Sequence, residues 1–278
     1  MKPAFIIFMA LFLVFTSPKL MAAQSAWKSA DYLQARLISA SVDADVLAGL
    51  DIKLSDSWYT YWRMPGDAGL APQFDWSGST NIANIDVLWP TPKRFETLGL
   101  YSFGYDNEVL FPIKLDFEDD TLPSKLHLKA GLMVCKDICV PQQLELNLDI
   151  PAQMQDGLDN KPRLIAAKEK VPSQDELPGL KIENLVVGPN AVVANTYSQN
   201  GYDNADVFIE AGDNVILTAK PEITIDEDDD RKAMMRITSP DGVENLAELL
   251  MDGSLTLTLK NGRSAVEKKV TFVETSNQ

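Results

Sequence analysis

K-L-H-L-K-A-G-L-M-V-C-K-D-I-C-V-P-Q-Q-L-E-L-N-L-D-I, Lys125 to Ile150, carries both the structural pattern and the chemistry of this chain. Gln143–Ile150 alternates polar and apolar residues more cleanly than any other segment, and Lys125–Ala130 reads as a strand on the other side of the cysteines. Alternation with period 2 marks strands that rest one face on a core. Between them lie Cys135 and Cys139, the chain's only two cysteines, which places the pair at a sheet end or edge.

Cysteines four residues apart can close a disulfide if Lys136, Asp137 and Ile138 make a tight turn, because the bond needs Cα atoms within about 7 Å. As a staple such a bridge adds little: a loop this small is worth roughly 2 kcal/mol in the chain-entropy picture. A chain of 278 residues also buries a sizeable core without staples. A redox role is therefore favoured over a structural one, and spacing alone leaves both open. Thiol–disulfide exchange requires a thiolate, an accessible sulfur and a second sulfur close enough to resolve a mixed disulfide. Cys135 and Cys139 meet the last condition. Lys136 favours a thiolate and Asp137 opposes one. The strands around the pair distinguish it from the helix-borne C-x-x-C of thioredoxins, so some other device must control access.

The single histidine, His127, alternates with Leu126 and Leu128 and is expected to be an exposed strand residue. One histidine gives little support to a serine triad or a Cys-His dyad and rules out a zinc site built from several histidines. A two-cysteine, one-histidine metal site stays open. So does copper(I) held by both thiolates with a thioether from Met64 or Met133. The methionines form no M-x-x-M array, and the expectation is no metal and no cofactor.

At the N-terminus, Lys2 precedes an apolar run from Ala4 to Phe15, with Ala22 and Ala23 following. This is the pattern of a signal peptide over residues 1–23, cut after Ala22 or Ala23. The run is too short for a span of about 20 residues, although a retained anchor is the alternative. Export into a periplasm, where disulfides persist, is the expected destination if the source has two membranes. The formal charge of −15 repels nucleic acid and anionic lipid, so neither nucleic-acid binding nor stable membrane insertion is expected after cleavage. It favours a partner with a basic face.

Leu33–Val42 and Val46–Leu54 read as a hairpin. Ser57 to Trp76 is crowded with aromatic residues around a Pro65-Gly66-Asp67 turn signal; its rings suit a core, or a lining for the thiol site. Ile85–Trp89 and Val109–Phe117 read as strands. Arg94 to Tyr105 shows neither period and reads as a long, partly apolar loop, a kind of segment that often carries function. Asn160 to Val171 reads as a helix with Asn160 as N-cap, Pro162 in the first turn, and Leu164, Ile165 and Ala167 on the packed side. Pro172 to Gly179 reads as a linker. Beyond it, seven short strands between Lys181 and Val273 suggest a second sandwich. The acidic run Asp226 to Asp230 lacks the alternating ligands and glycine of a calcium loop and reads as a solvated hairpin tip.

Three separated motifs, in order, carry a resemblance. They are W-Y-T-Y-W-R-M-P-G-D-A-G-L-A-P from Trp58; W-P-T-P followed by R-F-E-T-L-G-L and F-G-Y between Trp89 and Tyr105; and L-K-A-G-L-M-V-C-K-D-I-C-V-P from Leu128. Over roughly Leu33 to Pro151 the chain resembles the periplasmic N-terminal domain of the DsbD/ScsB group of thiol:disulfide interchange proteins. The likeness is looser over the C-terminal part. The resemblance implies an all-β chain of two immunoglobulin-like β-sandwich domains joined by a short helix and linker. The divisions expected are a redox domain over 27–152, a helix and linker over 153–179 and a second sandwich over 180–278. It implies that Cys135 and Cys139 cycle between dithiol and disulfide. It also implies that Phe95 to Tyr105 is a flap, with Phe95, Tyr101 or Phe103 as shielding ring and Glu96 as an acid near the sulfurs. Tyr59 and Tyr61 would lie beneath the pair. Activity, if present, would be of the protein-disulfide reductase type, with periplasmic thiol-disulfide proteins as partners. Members continue into a multi-helix membrane domain and often a thioredoxin-like domain, neither of which occurs in these 278 residues. The expectation is a free-standing module fed by a separate membrane electron-transfer protein.

Overall fold

The computed structural model describes residues 23–43, 45–152, 160–211, 216–240, 242–250 and 253–271. The expected signal segment, apart from Ala23, lies outside the described residues, as do residues 153–159 of the expected helix-and-linker segment. Among those described, no helix is long and apolar enough to cross a membrane.

The first half is a sandwich of eleven strands: β1 (Lys28–Ala30), β2 (Leu33–Val42), β3 (Asp45–Leu54), β4 (Tyr59–Gly66), β5 (Gln73–Asp75), β6 (Ile82–Val87), β7 (Lys93–Thr97), β8 (Leu100–Asp106), β9 (Glu108–Phe117), β10 (Ser124–Cys135) and β11 (Cys139–Ile150). One sheet has the order β1-β2-β3-β9-β6. The other has β11-β10-β4-β8-β7, with β5 added against β10. Leu37, Leu50, Ile52 and Phe111 of the first sheet share a core with Trp62, Phe103, Leu128 and Leu146 of the second. The alternation seen in the sequence is the cause. In β10 and β11, Leu126, Leu128, Leu144, Leu146 and Leu148 are buried while their neighbours in the chain are more exposed, as a pleated strand with one face on a core requires. His127 is less exposed than expected. Its side chain is only 12% accessible, its Nδ1 is 2.5 Å from the Ser77 carbonyl, and its Nε2 is 2.9 Å from Glu145.

Arg94 to Tyr105 is not an irregular loop. Its strands β7 and β8 form a hairpin closed by Leu98 and Gly99, both at positive φ (54° and 81°). That conformation is the one a two-residue hairpin turn demands.

Helix α1 (Lys161–Lys168) lies on the outer face of β2 and β3. Leu164 is fully buried among Ile38, Ala40, Val42 and Leu47. A Cβ at Gly49 would come 2.7 Å from Leu164 Cδ2, so β3 carries a glycine where the helix lands. Arg163 donates to both carboxylate oxygens of the buried Asp51, at 2.7 and 2.8 Å. Two details differ from the sequence expectation. Asn160 makes no side-chain cap; its Nδ2 donates to the carbonyls of Ala23 and Ser39. Ile165 is exposed, because Leu164 and Ala167, three residues apart, already occupy the inward stripe.

The second half has strands β12 (Leu180–Val187), β13 (Ala191–Ser198), β14 (Asp206–Glu210), β15 (Ile216–Leu217), β16 (Glu222–Ile225), β17 (Lys232–Thr238), β18 (Ser254–Asn261) and β19 (Ser264–Thr271), with a one-turn helix α2 (Leu246–Leu249). Two four-stranded sheets, β12-β13-β17-β16 and β15-β14-β18-β19, enclose a separate core around Met235, Leu255 and Leu257. The acidic run is the tip between β16 and β17. There the Asp226 carboxylate accepts from the N–H groups of Asp228 and Asp229, and Asp229 pairs with Arg231.

The halves share a seam. Phe208 of β14 is 1% exposed and belongs to the first core, edge-on to Phe103 (5.1 Å) and Trp62 (5.9 Å). Arg63 holds Glu210 through both carboxylate oxygens and also pairs with Glu267. Since Phe208 fills the first core from the second half, Phe208→Ala should cost about 3–5 kcal/mol. It should lower the urea midpoint of the first half, which holds all five tryptophans, followed by tryptophan fluorescence. A variant that unfolds at the parent's midpoint would contradict the shared core.

Candidate functional site

Strands β10 and β11 pair without interruption from Ser124↔Ile150 to Cys135↔Cys139, so the cysteines are the last rung of the ladder. Lys136 to Ile138 make the turn, with Lys136 N–H donating to the Ile138 carbonyl at 3.0 Å. The sulfurs are bonded, with Cα atoms 4.1 Å apart. Their exposures differ: Cys135 is fully buried and Cys139 is exposed.

Strand β4 runs beside β10, with Tyr59 opposite Cys135. Tyr61, two residues on, is fully buried and brings its hydroxyl to 3.0 Å from Cys135 Sγ and 3.6 Å from Cys139 Sγ. The same hydroxyl donates to the Ala68 carbonyl at 2.9 Å. Burial is the main reason its acidity falls, and contact with Tyr59 adds to it. The phenol pKa is pushed far above its ordinary 10.0, so Tyr61 remains a neutral donor and acceptor across the range in which thiols titrate. With its hydrogen on Ala68 it offers a lone pair to an S–H. Rotated, it donates to a thiolate.

Phe95 of β7 stacks on Tyr59, centroids 4.7 Å apart and planes 17° apart, and Tyr59 meets Tyr61 edge-on at 5.5 Å. Disulfide, Tyr61, Tyr59 and Phe95 thus form a continuous chain of contacts that ends in the Tyr59–Phe95 stack. Of the three rings named from the sequence, Phe95 is the one in this stack. Phe103 is fully buried in the core, and Tyr101 is half-buried with the Arg94 guanidinium 5.5 Å from its ring. Glu96 is exposed and pairs across the hairpin with Tyr101. Ile138 in the cysteine turn and Leu98 at the hairpin tip are also exposed, at 63% and 99%.

Sequence reasoning missed two residues that hold Tyr61. One is Ala68, through its carbonyl. The other is Gly69, where a Cβ would lie 2.3 Å from the Tyr61 ring. The sequence signal was there in the P-G-D-A-G turn, but nothing in it pointed back to Tyr61. Gly69→Ala must therefore displace the ring. It should cost about 1–3 kcal/mol in urea unfolding of the oxidised protein and abolish the NMR contact between the Tyr61 ring and the Cys135 β-protons. Unchanged stability with the contact intact would contradict this geometry.

Comparison with known proteins gives concordant results. Residues 31–150 match the family model of the N-terminal domain of thiol:disulfide interchange protein DsbD. Residues 170–275 match a domain family of unknown function, DUF8393. The crystal structure of the N-terminal periplasmic domain of ScsB from Proteus mirabilis is similar with a TM-score of 0.68 at 21% identity, over 91% of this chain and 99% of that one. That likeness extends the agreement in fold over both sandwiches. No curated protein matches the chain. Residues 31–150, which hold the first sandwich and the Cys135–Cys139 hairpin, are thus similar to the N-terminal domain of the thiol:disulfide interchange protein DsbD.

Proposed function

We propose that this protein is a periplasmic thiol–disulfide exchange module that carries electron pairs, as the Cys135–Cys139 dithiol or disulfide, to or from other exported thiol proteins. The observation that carries this reading is the asymmetry of the pair. One sulfur is exposed and the other is buried against a neutral hydroxyl 3.0 Å away. A structural staple gains nothing from such an arrangement, whereas exchange uses both parts of it.

In the reductive direction, a partner thiolate attacks Cys139 Sγ, the accessible sulfur. The Cys139–Cys135 bond breaks, and its electron pair leaves with Cys135 as a thiolate. Tyr61 turns its O–H from Ala68 to that thiolate, the charge-assisted bond that stabilises the leaving group. The partner's second thiolate then attacks its own sulfur in the mixed disulfide and expels Cys139. Two electrons have moved, the partner leaves as a disulfide, and two protons complete the dithiol. The opposite direction runs through the same mixed disulfide. Phe95 is assigned as the shielding ring in this account, because it covers Tyr59, the ring that stands opposite Cys135 on the neighbouring strand. Leu98 and Ile138 offer apolar contact to a partner, and the net charge of −15 favours one with a basic face. The electrons enter from, or leave to, a membrane electron-transfer protein.

The test uses single-cysteine variants and a thioredoxin-fold protein with one thiol activated by thionitrobenzoate. Cys135→Ser retains the exposed thiol of Cys139 and should form a mixed-disulfide adduct, reversible by dithiothreitol, at least about tenfold faster than Cys139→Ser. Equal rates, or no adduct from either variant, would contradict the mechanism.

A further inference from the structure

Arg94 immediately precedes Phe95, and adjacent residues of a strand point to opposite faces. Phe95 faces the disulfide side and stacks on Tyr59. Arg94 faces the second sandwich, where its side chain is 8% exposed. Its Nε and Nη2 take the two carboxylate oxygens of Asp206 at 3.0 and 2.8 Å. Nη2 also donates to the Val207 carbonyl at 2.8 Å, and Nη1 donates to the Thr218 carbonyl. The guanidinium lies 4.7 Å from the centroid of Phe103 and 5.4 Å from that of Phe208. A second tether runs through Asp67. One of its oxygens accepts from the Thr218 hydroxyl at 2.6 Å, and the other accepts from the Tyr101 N–H of β8 at 2.7 Å. Asp67 is followed directly by Ala68, the residue that accepts from Tyr61.

We infer that Asp206 and Thr218 of the second sandwich are positioning residues for disulfide exchange. They fasten the β7–β8 hairpin by its rear face, and so set how often Phe95 leaves Tyr59, the ring beside the disulfide. The inference rests on the exchange function proposed above and assigns the second sandwich a part in it. The physical basis is the bidentate guanidinium–carboxylate pair, in which both partners are largely screened from water. Such a pair is geometrically specific and strong relative to an exposed ion pair. A hairpin that must release Arg94 to lift opens rarely. One anchored only by its own ladder and the Phe95 stack opens more often.

The experiment uses the full chain and a small reductant, so that it does not depend on any protein partner. Asp206→Asn should be reduced by dithiothreitol about three- to tenfold faster than the parent. Amide hydrogen exchange should accelerate in β7 and β8 while β18 and β19 keep the parent's protection. Asp206→Glu, which keeps the charge, should restore most of the parental rate. Phe95→Ala sets the rate reached when Tyr59, beside the disulfide, is left uncovered. If Phe95→Ala reacts at the parental rate, the shielding reading of Phe95 fails, and the inference falls with it whatever Asp206→Asn does. If Phe95→Ala is fast but Asp206→Asn matches the parent in both rate and hairpin exchange, the inference alone is overturned. It is likewise overturned if β18 and β19 lose protection as fast as β7 and β8, because the substitution has then merely loosened the second sandwich. Should Asp206→Asn fail to fold, Thr218→Val, which removes only the hydroxyl tether to Asp67, is read by the same two measurements and the same criteria.

Discussion

The register of β10 against β11 is the constraint on which the site depends. Leucines at alternate positions on both strands fill one core, and a slip by a single residue would turn all of them to the other face. The hydrophobic effect therefore fixes the pairing along the whole ladder, and the last rung brings Cys135 opposite Cys139. The bond holds nothing else in place, since the hairpin already sets the distance it spans. Opening the bond would therefore cost the fold little, roughly the 2 kcal/mol of so small a loop.

Around that rung the two halves of the chain act together. The first sheet and helix α1 form a stable base, with Asp51 buried between Arg36 and Arg163. The second sheet carries β4 and the β7–β8 hairpin, which form the walls of the site. Phe208, Glu210 and Asp206 reach these same strands from the second sandwich. The exposed sulfur of Cys139 thus sits at the end of a hairpin, in a sheet whose β7–β8 hairpin is fixed by its rear face to another layer of protein.

Much of this was legible in the sequence, and the failures have physical causes. The cysteine hairpin and α1 were readable because each has one buried face, which imprints a period; the β2–β3 hairpin, buried on both faces where α1 lies on it, kept only an imperfect alternation. Strand β4 left no period, because Tyr61 and Trp62, adjacent in the chain, are both fully buried: one beneath the site, the other in the core. The β7–β8 hairpin was hidden by its turn. Leu98 sits at φ 54°, a conformation that Asn or Gly would have announced and that a leucine rarely adopts. His127 obeyed the expected alternation, yet the turn from Ser77 to Ser79 folds over it. Roles within the aromatic stretch followed from the family resemblance and not from spacing. That resemblance put Phe95, Tyr101 and Phe103 on one flap, and only the pleat separates them, with Phe95 on the disulfide side and Phe103 in the core. The Arg63 and Arg94 contacts span more than a hundred residues of sequence, and no local pattern reports them.

Equilibration of the Cys135–Cys139 pair against defined ratios of reduced and oxidised dithiothreitol or glutathione, read by thiol alkylation, bears most directly on the claim that the pair is made to open. An exchange module should give a reduction potential above about −300 mV, within reach of other thiol–disulfide proteins. A pair that stays oxidised well below that value is a structural disulfide, and the account of the site as an electron carrier would be wrong.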